Sequence, residues 1–410
     1  MNISSKLDRL RPFAAVSAER MVVVLLLLSS LVIALAPKGL AALVLLLAIC
    51  AAVNLWARGE TFELPFNTAT ISLFALVVWA GVSVLWTQDM AAAGRKFGQL
   101  FGFLLCLPPL WRFAVTNRVF SSRAVQLGLL AGFLVSWGIA ASVVFFPAEL
   151  VEGLAALNGI LQERGFSPVQ MQNHITVSNR ALTVLVPLTF VLFAFFSQHK
   201  WIYAPVLVMV FSIALNSDNQ SALIGLILPT VFIVLGGLWP KMSRNLFAAA
   251  VLVAAVFIAP LSVVNYNTKL SSSVMPEAFV KNASVNQRTD LYYAYTMAWA
   301  ERPLIGHGLD SSASVDFGDK AYNLWPDKTF VHHPHNFFLQ VLYELGLPGL
   351  ICIVVIVLHF GRRLEMLPVT LSVFGISFFA YNLWQSWLLS TFGLIFFLCA
   401  ALLPARPKTS

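Results

Sequence analysis

Three histidines and an asparagine stand directly before a long apolar run at residues 332–349, which read HHPHNFFLQVLYELGLPG. Pro334 is suited to the first turn of a helix, which predicts that His335 and Asn336 are early residues of that helix. The dipole and free amides at a helix N-terminus favour anions and disfavour an imidazolium. A histidine held neutral there is a workable general base, because its ordinary pKa of about 6.5 lies near ambient pH.

Two glycines later in this stretch are predicted to affect the position of the helix that carries His335. Gly346 and Gly349 are three residues apart on one helix face, and Pro348 between them disturbs the helix. Small residues also let another backbone approach closely. The pattern therefore predicts a kink or a close helix crossing that supports the helix of His335. Glu344 lies about half a turn from His335 on an ideal helix, so we do not expect it to orient the imidazole directly.

The neighbouring His332 and His333 raise the alternative of a three-histidine metal site. Metal ligands must converge on one point, and the spacings of these residues from His335 suit one helical face poorly. We therefore expect His332 and His333 to be solvated loop residues, and we predict neither a metal nor a cofactor.

A second candidate is Arg288, in the run SVNQRTDLYYAYTMAWAERPLIGHG. Asn286 can cap a helix that passes through Arg288 and ends at the Arg-Pro dipeptide before the GHG turn. Apolar residues recur on one side, so this helix is predicted to lie against other helices with Arg288 near its positive end. A guanidinium presents fixed N–H donors to phosphate oxygens, which makes Arg288 a candidate phosphate ligand.

Three further cations are candidates for binding anions. Arg180, in HITVSNRAL, lies just inside an apolar run, where a charge is expensive and therefore usually paired or functional. Arg95 and Lys96 precede another apolar run. These two residues would contact lipid phosphates either as a specific site or as ordinary interfacial anchors.

The elements that position these side chains are predicted to be membrane helices. The chain has 410 residues, of which 59% are hydrophobic and 11% charged, whereas soluble domains carry about 25% charged residues. Apolar runs long enough to cross a bilayer, about 17 to 25 residues each, recur along the chain. We predict twelve spans, at residues 21–36, 40–57, 70–86, 97–113, 125–147, 176–197, 201–216, 220–238, 245–264, 336–360, 367–382 and 384–403.

Charge distribution orients these spans. Lysines and arginines accumulate on alternate connections, which predicts that both termini are cytoplasmic and that most acidic residues lie on the opposite face. The net charge of +8 follows from the cytoplasmic flanks, which contact anionic headgroups, and it does not indicate nucleic acid binding. The four cysteines lie in apolar runs without CxxC spacing, which argues against a disulfide framework or a zinc site.

The predicted architecture is an all-α polytopic membrane protein with two extended outer segments. Residues 1–264 form spans one to nine, with a short outer loop at 148–175. Residues 265–335 form a large outer loop, which is too long to lack structure of its own and should contain helices. Residues 336–410 form the last three spans and a cytoplasmic tail.

These motifs resemble those of a known family. His335-Asn336, nine residues, Gly346, two residues and Gly349 are similar to the external-loop signature of the bacterial O-antigen ligases. Their superfamily includes O-antigen polymerases and some O-linked oligosaccharyltransferases. The arginine that opens a helix, followed by proline and a GxG turn, resembles its other recurrent feature. The motif-bearing resemblance covers residues 284–349.

The resemblance implies a GT-C-type glycosyltransferase of the bacterial inner membrane. Such ligases move a glycan from undecaprenyl pyrophosphate to lipid A-core at the periplasmic face, and no cofactor is implied. Carried over by position, His335 would be the catalytic base and Arg288 a pyrophosphate ligand. Asn336, Gly346 and Gly349 would support the histidine.

One departure concerns the second cationic ligand. Many superfamily members have an arginine near the start of a middle span, where this chain reads NSDNQSAL, with Asn219 and Gln220. Arg180 is our substitute, with Arg95 and Lys96 as further pyrophosphate-binding candidates. The chain has no DxD motif, with which many sugar-nucleotide transferases hold a metal. We therefore expect a metal-independent, inverting displacement in which arginines take the metal's role.

Two other kinds of function compete with this interpretation. An O-antigen polymerase or a ligase acting on protein would use similar parts, although the HNx9GxxG spacing favours the lipopolysaccharide ligase. A twelve-span transporter would show related halves and ionisable residues near mid-membrane. In this sequence the halves look unlike and the polar residues gather at one face.

Overall fold

The computed structural model of the chain describes residues 3–146, 174–217, 219–282, 284–315, 333–379 and 381–402, and the regular structure in these ranges is helical. The predicted outer loop at 148–175 lies almost wholly outside the described residues. Residues 316–332 of the second outer loop, including His332, also lie outside them.

The helices follow the predicted spans. Nine helices in the described ranges are long and apolar enough to cross a membrane: Leu10–Leu35, Pro37–Ala57, Thr68–Trp86, Met90–Thr116, Arg123–Phe145, Ser178–Phe195, Gln220–Leu238, Pro240–Thr268 and Phe337–Gly361. Three shorter apolar helices, Lys200–Leu215, Leu367–Phe379 and Ser386–Ala401, fall on the remaining predicted spans. The prediction of an all-α polytopic membrane protein is confirmed.

We number the α-helices in chain order. They are α1 (Ile3–Leu35), α2 (Leu40–Ala57), α3 (Thr68–Ser83), α4 (Met90–Thr116), α5 (Arg123–Phe145), α6 (His174–Phe195), α7 (Tyr203–Leu215), α8 (Gln220–Leu238), α9 (Pro240–Thr268), α10 (Leu270–Val274), α11 (Glu277–Asn282), α12 (Val285–Trp299), α13 (Phe337–Gly361), α14 (Leu367–Phe379) and α15 (Ser386–Ala401).

The chain divides into two compact units. The first contains Met1–Leu64, Cys106–Leu226 and Ser390–Ser410, and the second contains Pro65–Leu105 and Ile227–Leu389. The second unit therefore carries His335 and Arg288, whereas Arg180 belongs to the first.

In the first unit, α1 packs against α2 and α5 through small and polar residues. Ser136 of α5 donates to the carbonyl of Ser30 at 2.7 Å, and a Cβ added at Gly132 would lie 2.3 Å from the Ser30 hydroxyl oxygen. Asn54 of α2 donates to the carbonyl of Ala15 at 2.7 Å. Small residues let membrane helices approach closely and polar side chains bond across them, which explains this packing.

In the second unit, the first half of α13 forms the centre. Residues 337–346 are all buried, and five of them pack with residues of α9, α12 and α14 in one apolar cluster: Phe337, Phe338, Leu339, Leu342 and Tyr343. Trp79 of α3 also contacts α13 through a hydrogen bond. A helix that is covered on every side has its position set by many neighbours, so α13 is a firm support for residues at its start.

Candidate functional site

The predicted histidine lies just before α13 rather than inside it. The helix begins at Phe337, and Asn336 is its N-cap, with a side-chain oxygen that accepts the Leu339 amide at 3.0 Å. The prediction that Pro334 and His335 belong to the first helical turn was therefore wrong. An asparagine that supplies the cap bond starts the helix after itself, which leaves the preceding residues outside.

His335 has a left-handed backbone that its neighbours hold in place. Its φ is 54°, a conformation that costs an ordinary L-residue about 1 to 2 kcal/mol. Its amide donates to Nδ1 of His333 at 3.2 Å, and the two rings lie 4.1 Å apart. The hydroxyl of Tyr292 donates to its carbonyl at 3.2 Å. These contacts fix the direction in which the imidazole leaves the chain.

The surroundings of His335 favour the neutral imidazole. Burial lowers the pKa of His335 well below its ordinary value of 6.5, and the nearby His333 and Arg288 lower it further. Burial disfavours the charged form of a base, and adjacent positive charge acts in the same direction. The main cause is thus burial, not the helix dipole on which the sequence argument relied.

Helix α12 carries Arg288 in its first turn. The helix follows Ser284, whose φ is 50°, so the predicted cap at Asn286 was wrong, and Asn286 is an exposed residue inside the helix. The left-handed residue therefore starts the helix two residues earlier than the sequence pattern indicated. The amide of Arg288 donates to the carbonyl of Ser284 at 3.0 Å, which closes the first helical turn.

The guanidinium of Arg288 joins α12 to the end of α14. Its Nη1 donates to the carbonyl of Phe379, the last residue of α14, in a short hydrogen bond. Carbonyls at a helix C-terminus carry partial negative charge and have no partner in their own helix, so they suit a cation. The guanidinium has five N–H donors in a fixed fork, which leaves scope for an anionic ligand in addition.

Tyr292 connects the two candidate residues. Its hydroxyl donates to the carbonyl of His335 and lies close enough to the guanidinium of Arg288 to interact with its charge. Burial raises the pKa of Tyr292, so the phenol keeps its proton and can donate. Sequence reasoning placed this residue only on the apolar side of α12. The sequence feature that could have identified Tyr292 is its position four residues after Arg288, which places both side chains on one helix face.

The predicted kink in α13 is present at Gly346. Its φ of 64° and ψ of −160° interrupt the helix before Pro348. A Cβ added at Gly346 would lie 2.3 Å from the carbonyl oxygen of Leu304, and one at Gly306 would lie 2.4 Å from the carbonyl oxygen of Glu344. Both glycines are therefore required, because the GHG turn and the kink meet backbone to backbone.

The kink frees three carbonyls of α13, and each accepts a hydrogen bond from another segment. The donors are the amide of His307 to Tyr343 at 2.9 Å, the amide of Gly308 to Glu344 at 2.8 Å, and the indole of Trp79 to Leu345 at 2.7 Å. Buried carbonyls need partners, so these bonds make the kink a stable feature. A Cβ added at Gly349 would instead meet Leu345 and Val341 of its own helix, so this glycine relieves crowding within α13.

Sequence reasoning missed the role of Glu344. Its carboxylate is 0% exposed. One oxygen accepts from the Ser312 hydroxyl at 2.5 Å and the Gln340 amide at 2.9 Å. The other accepts from the Asp310 backbone amide at 2.7 Å and the Trp384 indole at 2.5 Å. As expected, this residue does not orient the imidazole directly. The sequence feature that could have identified Glu344 is that it is a lone carboxylate within a mostly apolar helix.

Arg95 and Lys96 lie near the start of α4. Arg95 is exposed and Lys96 half-buried, and neither forms an ion pair or a hydrogen bond with the part of the chain that the structure describes. The segment before α4 contacts the residue after the GHG turn: Leu309 accepts from Thr87 at 3.1 Å and donates to Ser83 at 3.0 Å. The role of Arg95 and Lys96 in pyrophosphate binding stays a prediction.

Arg180 is half-buried in α6 of the first unit. Its neighbour Asn179 accepts a hydrogen bond from the side chain of Asn219 at 2.7 Å, and Asn219 also accepts the amide of Ala222 at 3.0 Å. Asn219, at the place where the resemblance expects an arginine, thus caps the start of α8 and ties it to α6. The role of Arg180 as a phosphate ligand stays a prediction.

Comparisons with known proteins agree with these motifs. Residues 204–354 match the family model described as O-antigen ligase. Three relatives share the name "Putative polysaccharide ligase". The chain is 31% identical to the one from Rickettsia conorii over 104 residues, 22% of this chain and 25% of the relative. It is 29% identical to the one from Rickettsia prowazekii over 99 residues, 21% and 24% of the two chains.

The third relative, from Rickettsia typhi, is 22% identical over 215 residues, which are 48% of this chain and 51% of the relative. The chain therefore spans about a quarter of the length of the first two relatives and about half of the third. The matched family region contains both α12 and the HNx9GxxG signature. Residues 204–354 are therefore similar to the O-antigen ligase family, and this similarity covers the part of the chain that carries His335 and Arg288.

Proposed function

We propose that the chain is an O-antigen ligase that transfers a glycan from undecaprenyl pyrophosphate to lipid A-core. Its site would face the periplasm from the bacterial inner membrane, with both termini in the cytoplasm. The observation that carries the proposal is the contact set of Tyr292. This single side chain interacts with the guanidinium of Arg288 and donates to the backbone carbonyl of His335, which supports pairing His335 as the base with Arg288 as the phosphate-binding cation.

The proposed reaction needs only these two kinds of group. A sugar on pyrophosphate already has a good leaving group, so the remaining requirements are a base for the acceptor proton and cations for the departing charge. The acceptor hydroxyl oxygen bonds to the anomeric carbon while the bond from that carbon to the phosphate oxygen breaks. The proton moves to the imidazole of His335, and undecaprenyl pyrophosphate leaves with its charge beside Arg288. Attack opposite the leaving group inverts the anomeric centre.

The protonation states support these roles. A base must be unprotonated to act, and burial lowers the pKa of His335 well below its ordinary value. A guanidinium presents fixed N–H donors that match phosphate oxygens, so Arg288 can hold phosphate throughout the reaction. The same positive charge contributes to lowering the pKa of His335. The cation therefore binds the leaving group and also keeps the base neutral.

The other candidates take supporting roles in this proposal. Asn336 caps the helix that follows the base, and Gly346 permits the kink that anchors it. Gly349 relieves crowding below the kink. Arg180, Arg95 and Lys96 are candidates for further cationic ligands of the pyrophosphate. If one of these three residues binds the pyrophosphate, replacing it by alanine should raise KM for the lipid-linked glycan.

The test is a reconstituted ligation. Purified protein is incubated with undecaprenyl-pyrophosphate-linked glycan and lipid A-core, and the joined product is followed by gel mobility. His335→Ala should lower kcat at least about 100-fold, because general base catalysis contributes about 10²- to 10⁴-fold. His332→Ala changes a histidine that the sequence predicts to be a solvated loop residue, so it should leave the rate within about twofold of wild type.

The same assay separates the alternatives. Wild-type rates with His335→Ala would contradict the role of the base. Glycan chains that lengthen without lipid A-core would indicate an O-antigen polymerase, and transfer only to an added protein would indicate a protein O-oligosaccharyltransferase. If the wild-type protein joins nothing and instead moves the lipid-linked glycan across a vesicle membrane, it is a transporter.

A further inference from the structure

The buried carboxylate of Glu344 joins three segments of the second unit. It belongs to α13, and its four hydrogen-bond donors come from Gln340 of the same helix, from Asp310 and Ser312, and from Trp384. Charged acceptors make hydrogen bonds about twice as strong as neutral ones. A carboxylate with four donors is thus a strong connection between chain segments that are remote in sequence.

Gln340 extends this connection towards the start of α13. Asn336, Gln340 and Glu344 follow one another at intervals of four residues, so they share one face of the helix. The Gln340 amide nitrogen also donates to Asn382 at 2.9 Å, and its oxygen accepts the Leu383 amide at 3.0 Å. The helix that begins beside His335 is therefore held along this face by hydrogen bonds.

One of the joined segments positions α12. Ser312, whose hydroxyl donates to Glu344, accepts a hydrogen bond at its carbonyl from the Tyr295 hydroxyl at 2.9 Å. Tyr295 lies on α12 two turns after Arg288. The ring of Tyr295 also packs edge-on against Tyr343, with ring centroids 5.1 Å apart. The helix that carries Arg288 is thus tied to Glu344 through Ser312.

The other joined segment positions the second support of Arg288. Residues 382–384 come shortly after Phe379, whose carbonyl accepts the guanidinium. This turn is held at three points: Asn382 and Leu383 bond to Gln340, and Trp384 bonds to Glu344. The place of the Phe379 carbonyl, and with it the place of the guanidinium, depends on these bonds.

We infer that Glu344 is a positioning residue that sets the separation between His335 and Arg288. It touches neither residue, but it joins the helix behind the base to both supports of the cation. The inference rests on the proposed function. A misplacement of about 1 Å at a reacting centre can cost about 100-fold in rate, so a remote hydrogen-bond network can matter as much as a contact.

Glu344→Gln is the sharpest variant because it preserves shape while introducing one conflict. On one side, the Asp310 amide and the Trp384 indole are donors only, so the new side-chain oxygen must face them. The new NH2 group then faces the Ser312 hydroxyl, which can accept, and the Gln340 amide nitrogen, which cannot. Reversing the Gln340 amide would break its bonds to residues 382 and 383. Gln340→Glu replaces the opposing donor by an oxygen. In its neutral form this carboxyl can accept the new NH2 group and still donate to Asn382, so it should relieve the conflict.

The experiment measures kcat and KM in the ligation assay for wild type, Glu344→Gln and the double variant Glu344→Gln/Gln340→Glu. We expect Glu344→Gln to lower kcat at least tenfold while KM for lipid A-core changes less than twofold, because Glu344 does not touch substrate. The double variant should recover at least threefold of the lost kcat. Ser372→Ala, at another fully buried polar residue of the same unit, should keep wild-type kcat.

Other results would overturn the inference. Size-exclusion profiles and thermal unfolding midpoints give the folded fraction of each variant. Wild-type kcat in folded Glu344→Gln, a loss of rate that only matches the folded fraction, or a double variant slower than the single one would each contradict the positioning role. If the wild-type protein joins no substrates, the proposed function fails, and this inference fails with it. An active wild type with an unaffected Glu344→Gln variant refutes the inference alone.

Discussion

Replacing Tyr292 by phenylalanine tests whether one hydroxyl holds His335 and Arg288 in the arrangement that the proposed reaction needs. The substitution removes a single oxygen and keeps the ring. That oxygen interacts with Arg288 and donates to the carbonyl of His335. The bond to the His335 carbonyl, at 3.2 Å, is longer than is usual for a hydroxyl donor and is therefore weak. The contact with the charged guanidinium therefore dominates the expected effect.

The magnitude follows from that contact. A hydrogen bond to a charged group contributes about 1.5 to 3 kcal/mol. Since each 1.36 kcal/mol of barrier is tenfold in rate, Tyr292→Phe should lower kcat by about 10- to 150-fold. The loss should appear in kcat more than in KM if the cation acts mainly on the charge that develops as the pyrophosphate leaves.

Tyr293→Phe is the matched control. Tyr293 is the next residue of α12, and its ring stacks on Tyr266 with centroids 3.9 Å apart, a contact that phenylalanine keeps. The control should stay within about twofold of wild type, as expected for a change of about 0.5 kcal/mol or less. The reaction is followed with lipid-linked glycan and lipid A-core. Wild-type kcat in folded Tyr292→Phe, or an equal loss in both variants, would refute the reasoning.

Three further results are expected. Gly346→Ala should lower the free energy of unfolding by about 2 to 5 kcal/mol, because its φ is positive and the new Cβ would lie 2.3 Å from the Leu304 carbonyl oxygen. Gly237→Ala is the control, because a Cβ there meets nothing within 4 Å, and it should not lower that free energy. Equal thermal unfolding midpoints for the two variants would contradict this prediction. Because the pKa of His335 is lowered below 6.5, kcat/KM should stay level as the pH falls to 6.5 and should decline only at lower pH. If kcat/KM falls to half of its maximum above pH 6.5, His335 is not the base. Ligation should continue in excess chelator, and strict dependence on an added divalent metal would contradict the role given to the arginines.

Much of the architecture was predictable from the sequence because its causes are local. Apolar runs of bilayer length arise from neighbouring residues alone, and the twelve predicted spans each coincide with an apolar helix. The kink was predictable for the same reason, since Pro348 lacks a donor and Gly346 accepts a left-handed backbone. Errors arose at helix ends. The cap of α12 is Ser284, two residues before the predicted Asn286, and α13 begins at Phe337, three residues after Pro334, because neighbouring backbone conformations decide the start.

The sequence by itself therefore determined the membrane helices, the kink and the choice of His335 and Arg288 as candidates. Only the tertiary structure decided what connects them. Glu344 bonds to residues 32 to 40 positions away, and Tyr292 contacts a carbonyl 43 positions away. Spacing along one helix shows which residues share a face, but not which remote segment covers that face. Buried polar groups must find hydrogen-bond partners, and the packing of distant segments chooses those partners.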